Sequence, residues 1–194
     1  MTAMTDASMK ARVRNLARQT GLSPQIVLQM HLLERLLERF SKSCYAGNVV
    51  LKGGMLIASM AGIAQRTTMD MDATVTGMSV DEDNVREMLE EACSLSGVDP
   101  IAFELTRIES IREEDEYPGF RAHVAAQFGK VRGSLKVDIT TGDSLVPGAL
   151  EYPYSPILGG DDIPVLSYAP ETVLAEKFET IIRRGELNGR ARDF

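Results

Sequence analysis

Three aspartates carry the strongest chemical signal in this chain. Asp70 and Asp72 stand one residue apart in Met69-Asp70-Met71-Asp72-Ala73-Thr74-Val75-Thr76, where apolar and polar residues alternate. A period of two predicts a strand with its side chains divided between two faces, so both carboxylates project from the same face. Asp138 sits in a run of the same design, with Leu135, Val137 and Ile139 alternating with Lys136, Asp138 and Thr140. Strands of one sheet can bring this third carboxylate beside the first two. Grouped carboxylate oxygens suit Mg2+, a hard cation that keeps several waters and binds through a few carboxylates together with substrate phosphates. Such an ion orients a triphosphate and stabilises a departing pyrophosphate. The competing reading is three solvated residues on an exposed sheet face, and an Asp-x-Asp pair alone does not separate the two.

Two neighbouring features bear on that choice. Val49-Val50-Leu51 runs into Lys52-Gly53-Gly54 and then Met55-Leu56-Ile57-Ala58, a pattern that predicts strand, tight turn and helix. Backbone N–H groups at a helix start attract phosphate and glycine lets it approach closely, so Gly53 and Gly54 are candidate phosphate-binding residues. An ordinary tight turn is the alternative. Lys177 lies four residues after Val173 and four before Ile181, on the stripe its helix otherwise uses for packing. An inward lysine needs an anionic partner, either a triphosphate or an internal acid such as Asp138. Arg66 is a candidate for phosphate binding or for bracing the aspartate strand.

The elements that must position these residues are legible as patterns. Ser8 to Gln19 predicts a short basic helix with Lys10, Arg12, Arg14 and Arg18, stopped by Gly21. Ser23 and Pro24 open a second helix, with Ile26, Met30, Leu33, Leu37 and Phe40 on the face that covers the core. Asp81 to Leu95 predicts an acidic amphipathic helix, and Ile101 to Ile111 and Phe120 to Phe128 predict strands around the charged turn Arg112 to Gly119. Gly142 to Gly160, rich in Gly and Pro, reads as loop, and Ile163 to Tyr168 as a last strand. Pro170 opens a final helix through Val173, Leu174, Phe178, Ile181 and Ile182 to Gly185. Helices and strands together make the expected class α+β, with residues 1–45 as a helical segment packed on a core of residues 46–194.

With 194 residues and 44% hydrophobic side chains, the chain can bury a core. Its 21 basic and 28 acidic residues give a net charge of -7, so a polyanion must be met by a local patch. Cys44 and Cys93 lack metal-ligand spacing and read as reduced structural thiols. The N-terminus carries no apolar signal core, and the longest apolar-leaning stretch, Met55 to Ala64, is too short to span a bilayer, so a cytoplasmic protein is expected. His31 and His123 have no Ser or Cys partner at a catalytic spacing. The basic first helix, Thr20-Gly21-Leu22-Ser23-Pro24 and the second helix also admit a helix-turn-helix regulator, against which Glu34, Glu38 and the acidic total count. In a milder form, the basic helix grips an RNA backbone.

The order of the pieces resembles the AbiEii family of nucleotidyltransferase toxins. The residues that carry the resemblance are Leu51-Lys52-Gly53-Gly54, Arg66-Thr67-Thr68-Met69-Asp70-Met71-Asp72, Val137-Asp138-Ile139 and Glu171-Thr172-Val173-Leu174-Ala175-Glu176-Lys177. It implies a polymerase-beta-like nucleotidyltransferase core from about Val49 onward, a mixed sheet flanked by helices, with Asp70, Asp72 and Asp138 on Mg2+ and Lys177 in the lysine motif. It also implies a nucleoside triphosphate substrate, an RNA acceptor such as tRNA, and a cognate antitoxin as partner. Arg192-Asp193-Phe194 resembles the start of a fourth motif. Met55 departs from the pattern, because the family has Thr or Ser after the second glycine and a thioether is a poor substitute for a hydroxyl. A non-catalytic nucleotide- or RNA-binding relative with a degenerate site is the alternative that this departure keeps open.

Overall fold

A computed structural model of the chain describes residues 5–96, 99–111, 119–142 and 145–184. The Arg112 to Pro118 part of the charged turn, the helix stop at Gly185 and the Arg192-Asp193-Phe194 motif lie outside the described residues.

The first two helices follow their capping residues. Helix α1 (Asp6–Thr20) starts two residues ahead of the predicted Ser8, because the Thr5 hydroxyl accepts from Ser8 N at 3.2 Å and caps it there. It ends at Gly21, whose φ of 74° closes the turn in the left-handed region. Helix α2 (Pro24–Lys42) is capped by Ser23, which accepts from Ile26 N at 3.3 Å.

Seven strands form one mixed sheet: β1 (Val49–Lys52), β2 (Asp70–Val75), β3 (Ala102–Ile111), β4 (Gly119–Phe128), β5 (Val131–Thr140), β6 (Leu150–Tyr154) and β7 (Ile163–Ser167), in the order β3-β4-β5-β2-β1-β7-β6. The β2–β5 and β1–β7 pairs are parallel and the other neighbours antiparallel. Three more helices are described: α3 (Gly53–Ala61), α4 (Glu82–Ser94) and α5 (Pro170–Arg184). This is the expected α+β class with a mixed sheet flanked by helices.

Two strand assignments differ from the sequence reading. β6 lies inside the stretch read as loop, paired along β7 with Pro153 opposite Pro164. A Pro-containing edge strand lacks a clean alternation, and its pairing comes from β7. β5 begins at Val131, four residues before the apolar alternation starts at Leu135, because Phe128 and Val131 close a hairpin over Gly129 and Lys130.

The core lies between the sheet and α2. Leu51, Met71, Ala73, Leu135, Val137 and Ile139 meet Leu32, Leu33, Leu36 and Leu37 in one buried cluster. At Gly133 a Cβ would stand 2.5 Å from a Leu32 methyl, so glycine sets how closely α2 approaches β5. α1 packs on the outside of α2 through Met9, Val13 and Ala17.

α2 is more deeply buried than a surface amphipathic helix, since residues 29–40 are all buried, charged ones included. Its main charges are paired internally, although Arg35 Nε and Nη2 and Arg39 Nε are buried without a hydrogen-bond partner among the described residues. Glu34 accepts from Ile157 N at 3.0 Å and from the Tyr154 hydroxyl at 3.2 Å. Arg39 donates to Ile101 O at 2.8 Å, pairs with Asp99 at 3.2 Å and lies 4.6 Å over the Phe103 ring. Among the described residues no helix is long and apolar enough to cross a membrane.

Candidate functional site

Register brings the predicted aspartates together. On antiparallel β1 and β2 Lys52 opposes Asp72, on parallel β2 and β5 Asp72 opposes Asp138, and on antiparallel β5 and β4 Asp138 opposes Arg121. Directly opposed residues share a sheet face. Four strands thus present a row of cation, two acids and cation. Asp70 lies on the same face one step along β2, opposite Lys136. This is the face turned away from α2.

The glycine turn is shaped around Asp72. Gly53 has φ 64°, and a Cβ there would occupy the space of the Asp72 carboxylate. At Gly54 a Cβ would stand 2.7 Å from the Thr68 hydroxyl oxygen. Both glycines therefore admit neighbouring side chains of the protein itself. Gly54 N donates to Asp72 Oδ2 at 3.3 Å, so an amide at the start of α3 already faces a carboxylate. Thr68 anchors the entry to β2 by donating to Asp70 O at 3.0 Å.

The electrostatics of Asp72 follow from this crowding. Burial pushes its carboxyl above the ordinary value; the Gly54 N–H opposes that shift, the charges of Asp138 and Asp70 add to it, and Lys52 opposes it more weakly. Like charges held side by side form an oxygen-rich locus that a cation would relieve, so Asp70 and Asp72 fit a magnesium ion. Asp138 meets a different partner. Arg121 Nε donates to its Oδ1 at 2.7 Å and Arg121 Nη2 to its Oδ2 at 2.6 Å. This bidentate bond raises the Arg121 pKa. Among the described residues no group of three or more His, Cys, Asp or Glu side chains is arranged to hold a metal ion.

The inward cation of the site is Lys52. Only 7% exposed, it lies 3.2 Å from Glu176 Oε1, 3.3 Å from the Tyr168 hydroxyl and 5.3 Å over the Tyr168 ring. The Tyr168 hydroxyl is 2.8 Å from Thr74 Oγ1, which is 3.3 Å from Thr140 Oγ1, so a buried polar chain links α5 to the centre of the sheet. Lys52 could have been noticed as a lysine closing an apolar strand just before two glycines. Arg121 was visible as one polar residue of an alternating strand, but its partner depends on register.

Lys177 is half-buried, next to the Glu176 that reaches Lys52. The packing stripe read for its helix differs, because Leu174 and Phe178 are 59% and 63% exposed while Thr172 and Val173 are buried. Arg66 is half-buried in the connection between α3 and β2. Met55 is 1% exposed, inside the hydrophobic cluster. A hydroxyl there would face the core, so Met55→Ser is expected to cost about 3 kcal/mol in denaturant unfolding, with no gain in nucleotide affinity by calorimetry.

The basic helix, His31 and the cysteines fall away from the aspartates, whereas His123 on β4 lies on their face, opposite Lys136. α1 packs on α2, on the opposite side of the sheet, with the Arg12 guanidinium donating to Leu158 O. A recognition helix must be free to enter a groove, and the burial of residues 29–40 leaves only the ends of α2 accessible. His31 is buried 3.8 Å from Glu34, and His123 lies 2.9 Å from Glu109. Both cysteines are free, with Cys93 pushed up to about 11 by burial and Cys44 raised by its bond to Glu91. Neither has the thiolate character of a nucleophile.

Comparison with known proteins adds an independent finding. The family model for the nucleotidyl transferase AbiEii toxin of type IV toxin–antitoxin systems matches residues 35–194. Among solved structures the chain is similar to JHP933 from Helicobacter pylori, with 16% identity, a TM-score of 0.52, and coverage of 89% of this chain and 64% of that one. That likeness shows a shared fold. A presumed nucleotidyltransferase from H. pylori has 18% identity and a TM-score of 0.49, over 80% of this chain and 59% of that one. An antigenic nucleotidyltransferase-like protein from Paracoccidioides brasiliensis has 14% identity and the same TM-score, over 85% of this chain and 72% of that one. The chain thus spans less than two thirds of either H. pylori protein. No curated protein matches it.

Proposed function

The chain belongs to the AbiEii family of nucleotidyl transferase toxins, and on that premise we propose that it transfers a nucleoside monophosphate from a nucleoside triphosphate to an acceptor hydroxyl, as the toxin of a toxin–antitoxin pair. The observation that carries this reading is the alignment of Asp72 and Asp138 in register beside the Gly53-Gly54 start of α3.

Asp70 and Asp72 are the residues to hold Mg2+, with Asp138 as the third carboxylate beside them. When bound, the ion supplies charge neutralisation on the phosphates and a lower pKa for the attacking hydroxyl. Gly53 and Gly54 bring the start of α3 against Asp72, so phosphates seated at that helix start lie next to the carboxylates. Lys177 and Arg66 are the cations for the triphosphate, and Lys52 holds the buried side of the row. In the reaction the acceptor oxygen bonds to the α-phosphorus, the bond from that phosphorus to the β-phosphate oxygen breaks, and pyrophosphate leaves. Asp138 keeps lone pairs outside the Arg121 fork and takes the hydroxyl proton.

An RNA, including tRNA, is the acceptor the family resemblance favours, and a cognate antitoxin is the expected partner. A nucleoside triphosphate and an RNA acceptor are both found in the cytoplasm, which supports that location for the reaction. Incubating the protein with labelled nucleoside triphosphates, Mg2+ and total RNA should label RNA with the wild type and not with Asp70→Ala. Equal labelling by both, or none by a folded wild type, counts against transfer. The hold of Arg121 on Asp138 favours one second reading, a nucleotide-binding relative that releases no pyrophosphate, which the same assay separates.

A further inference from the structure

The sequence pattern treats Asp70, Asp72 and Asp138 alike, but the fold does not. Asp138 alone has a guanidinium across both oxygens, at 2.7 and 2.6 Å, from the strand on its far side. The side chains of Arg121 and Asp138 are 35% and 17% exposed, so the pair lies at the rim of the row. Arg121 is backed in turn by Glu109, its register partner on β3, which is held by Arg107 at 2.6 Å and His123 at 2.9 Å. The clamp therefore stands on an ion-pair ladder across three strands. A carboxylate already bridged by guanidinium is a poor ligand for a strongly hydrated cation, and the guanidinium charge repels that cation.

We propose that Arg121 is a positioning residue that keeps Asp138 committed to the protein, so that the nucleotide-free site binds divalent metal poorly and the cation enters together with the triphosphate. This rests on the reading above, in which Asp70 and Asp72 hold the ion. Bound phosphates would supply the oxygen ligands that Asp138 withholds. Arg121 acts by withholding one charge from the cation and by fixing the orientation of Asp138 beside the reacting hydroxyl.

The test is Mn2+ binding, followed by electron paramagnetic resonance, with and without a non-hydrolysable nucleoside triphosphate. Wild type should take up Mn2+ weakly alone and strongly with nucleotide. Arg121→Gln should bind Mn2+ alone about tenfold more tightly, because a nearby unit charge moves an equilibrium by about a power of ten. Arg121→Lys, which keeps the charge but cannot bridge both oxygens, should fall between wild type and Arg121→Gln. A merely structural arginine would not tighten metal binding on its removal. Equal Mn2+ affinity of Arg121→Gln and wild type, both binding with nucleotide, overturns the proposal and leaves the transferase reading intact. Absence of Mn2+ uptake by wild type with nucleotide overturns both.

A measurement on wild type covers the case in which Arg121→Gln does not fold. The Arg121 Nε–H resonance, assigned by its loss in Arg121→Lys, should be unmoved by Mg2+ alone and shift when nucleotide is added. A shift with Mg2+ alone means that the ion competes for Asp138 without nucleotide, which refutes the clamp.

Discussion

Gly53→Ala is expected to destabilise the protein by about 2–4 kcal/mol and to reduce nucleotidyl transfer about 100-fold. The first effect has two sources. Gly53 sits at φ 64°, where an L side chain is strained, and its Cβ would enter the volume of the Asp72 carboxylate. Asp72 can withdraw only by giving up its bond from Gly54 N and its place opposite Lys52 and Asp138. The second effect follows, because a displacement of about 1 Å in a reacting group is enough for a loss of that size. Denaturant unfolding and the labelled-nucleotide assay on the same preparation measure both. Unchanged stability would show that the turn has room that the structure denies it.

Asp72→Asn should have the opposite effect on stability and a greater effect on activity. The Asp72 carboxyl is raised by burial and by the charges of Asp138 and Asp70, against the pull of Gly54 and Lys52. In the folded chain it takes up a proton at higher pH than in the unfolded chain. Between those two values the folded state holds more protons, so stability falls as pH rises through that window and the loss is complete above the folded value. At neutral pH the charged carboxylate therefore works against the fold. Asparagine removes the charge and still accepts from Gly54 N. The variant is expected to unfold at a higher temperature than wild type at pH 7, with the difference closing as pH falls below the ordinary carboxylate range. Transfer should drop about 10³-fold or more if, as proposed above, the Asp72 carboxylate holds the cation. A variant less stable than wild type at pH 7 would mean that attraction, not repulsion, dominates at Asp72.

These opposed effects describe a site built at a cost to stability. Two acids side by side in the middle of a sheet repel each other, and the flanking Lys52 and Arg121 offset this only in part. Lys52 is shared with Glu176 and Tyr168, and Arg121 with Glu109. The proposed function would account for the retention of such an arrangement, as in active sites that trade stability for activity.

By itself the sequence determined the local elements and the chemistry they carry. A period of two at Met69 to Thr76 and Leu135 to Thr140 was enough to assign strands and the face of each aspartate, because side-chain direction along a strand follows from backbone geometry alone. Ser23-Pro24 and Pro170 marked helix starts for the same local reason. The Lys-Gly-Gly turn and the spacing of the motifs were enough to point to the family. What the tertiary structure decided was every relation between strands. That Asp72 faces Asp138, that Arg121 from a third strand claims both oxygens of Asp138, and that Lys52 is the inward cation with Leu174 and Phe178 left exposed all depend on register and packing between segments far apart in the chain. The three aspartates are equivalent as sequence, and the fold makes them unequal because a carboxylate's role is set by the charges its neighbours bring to it.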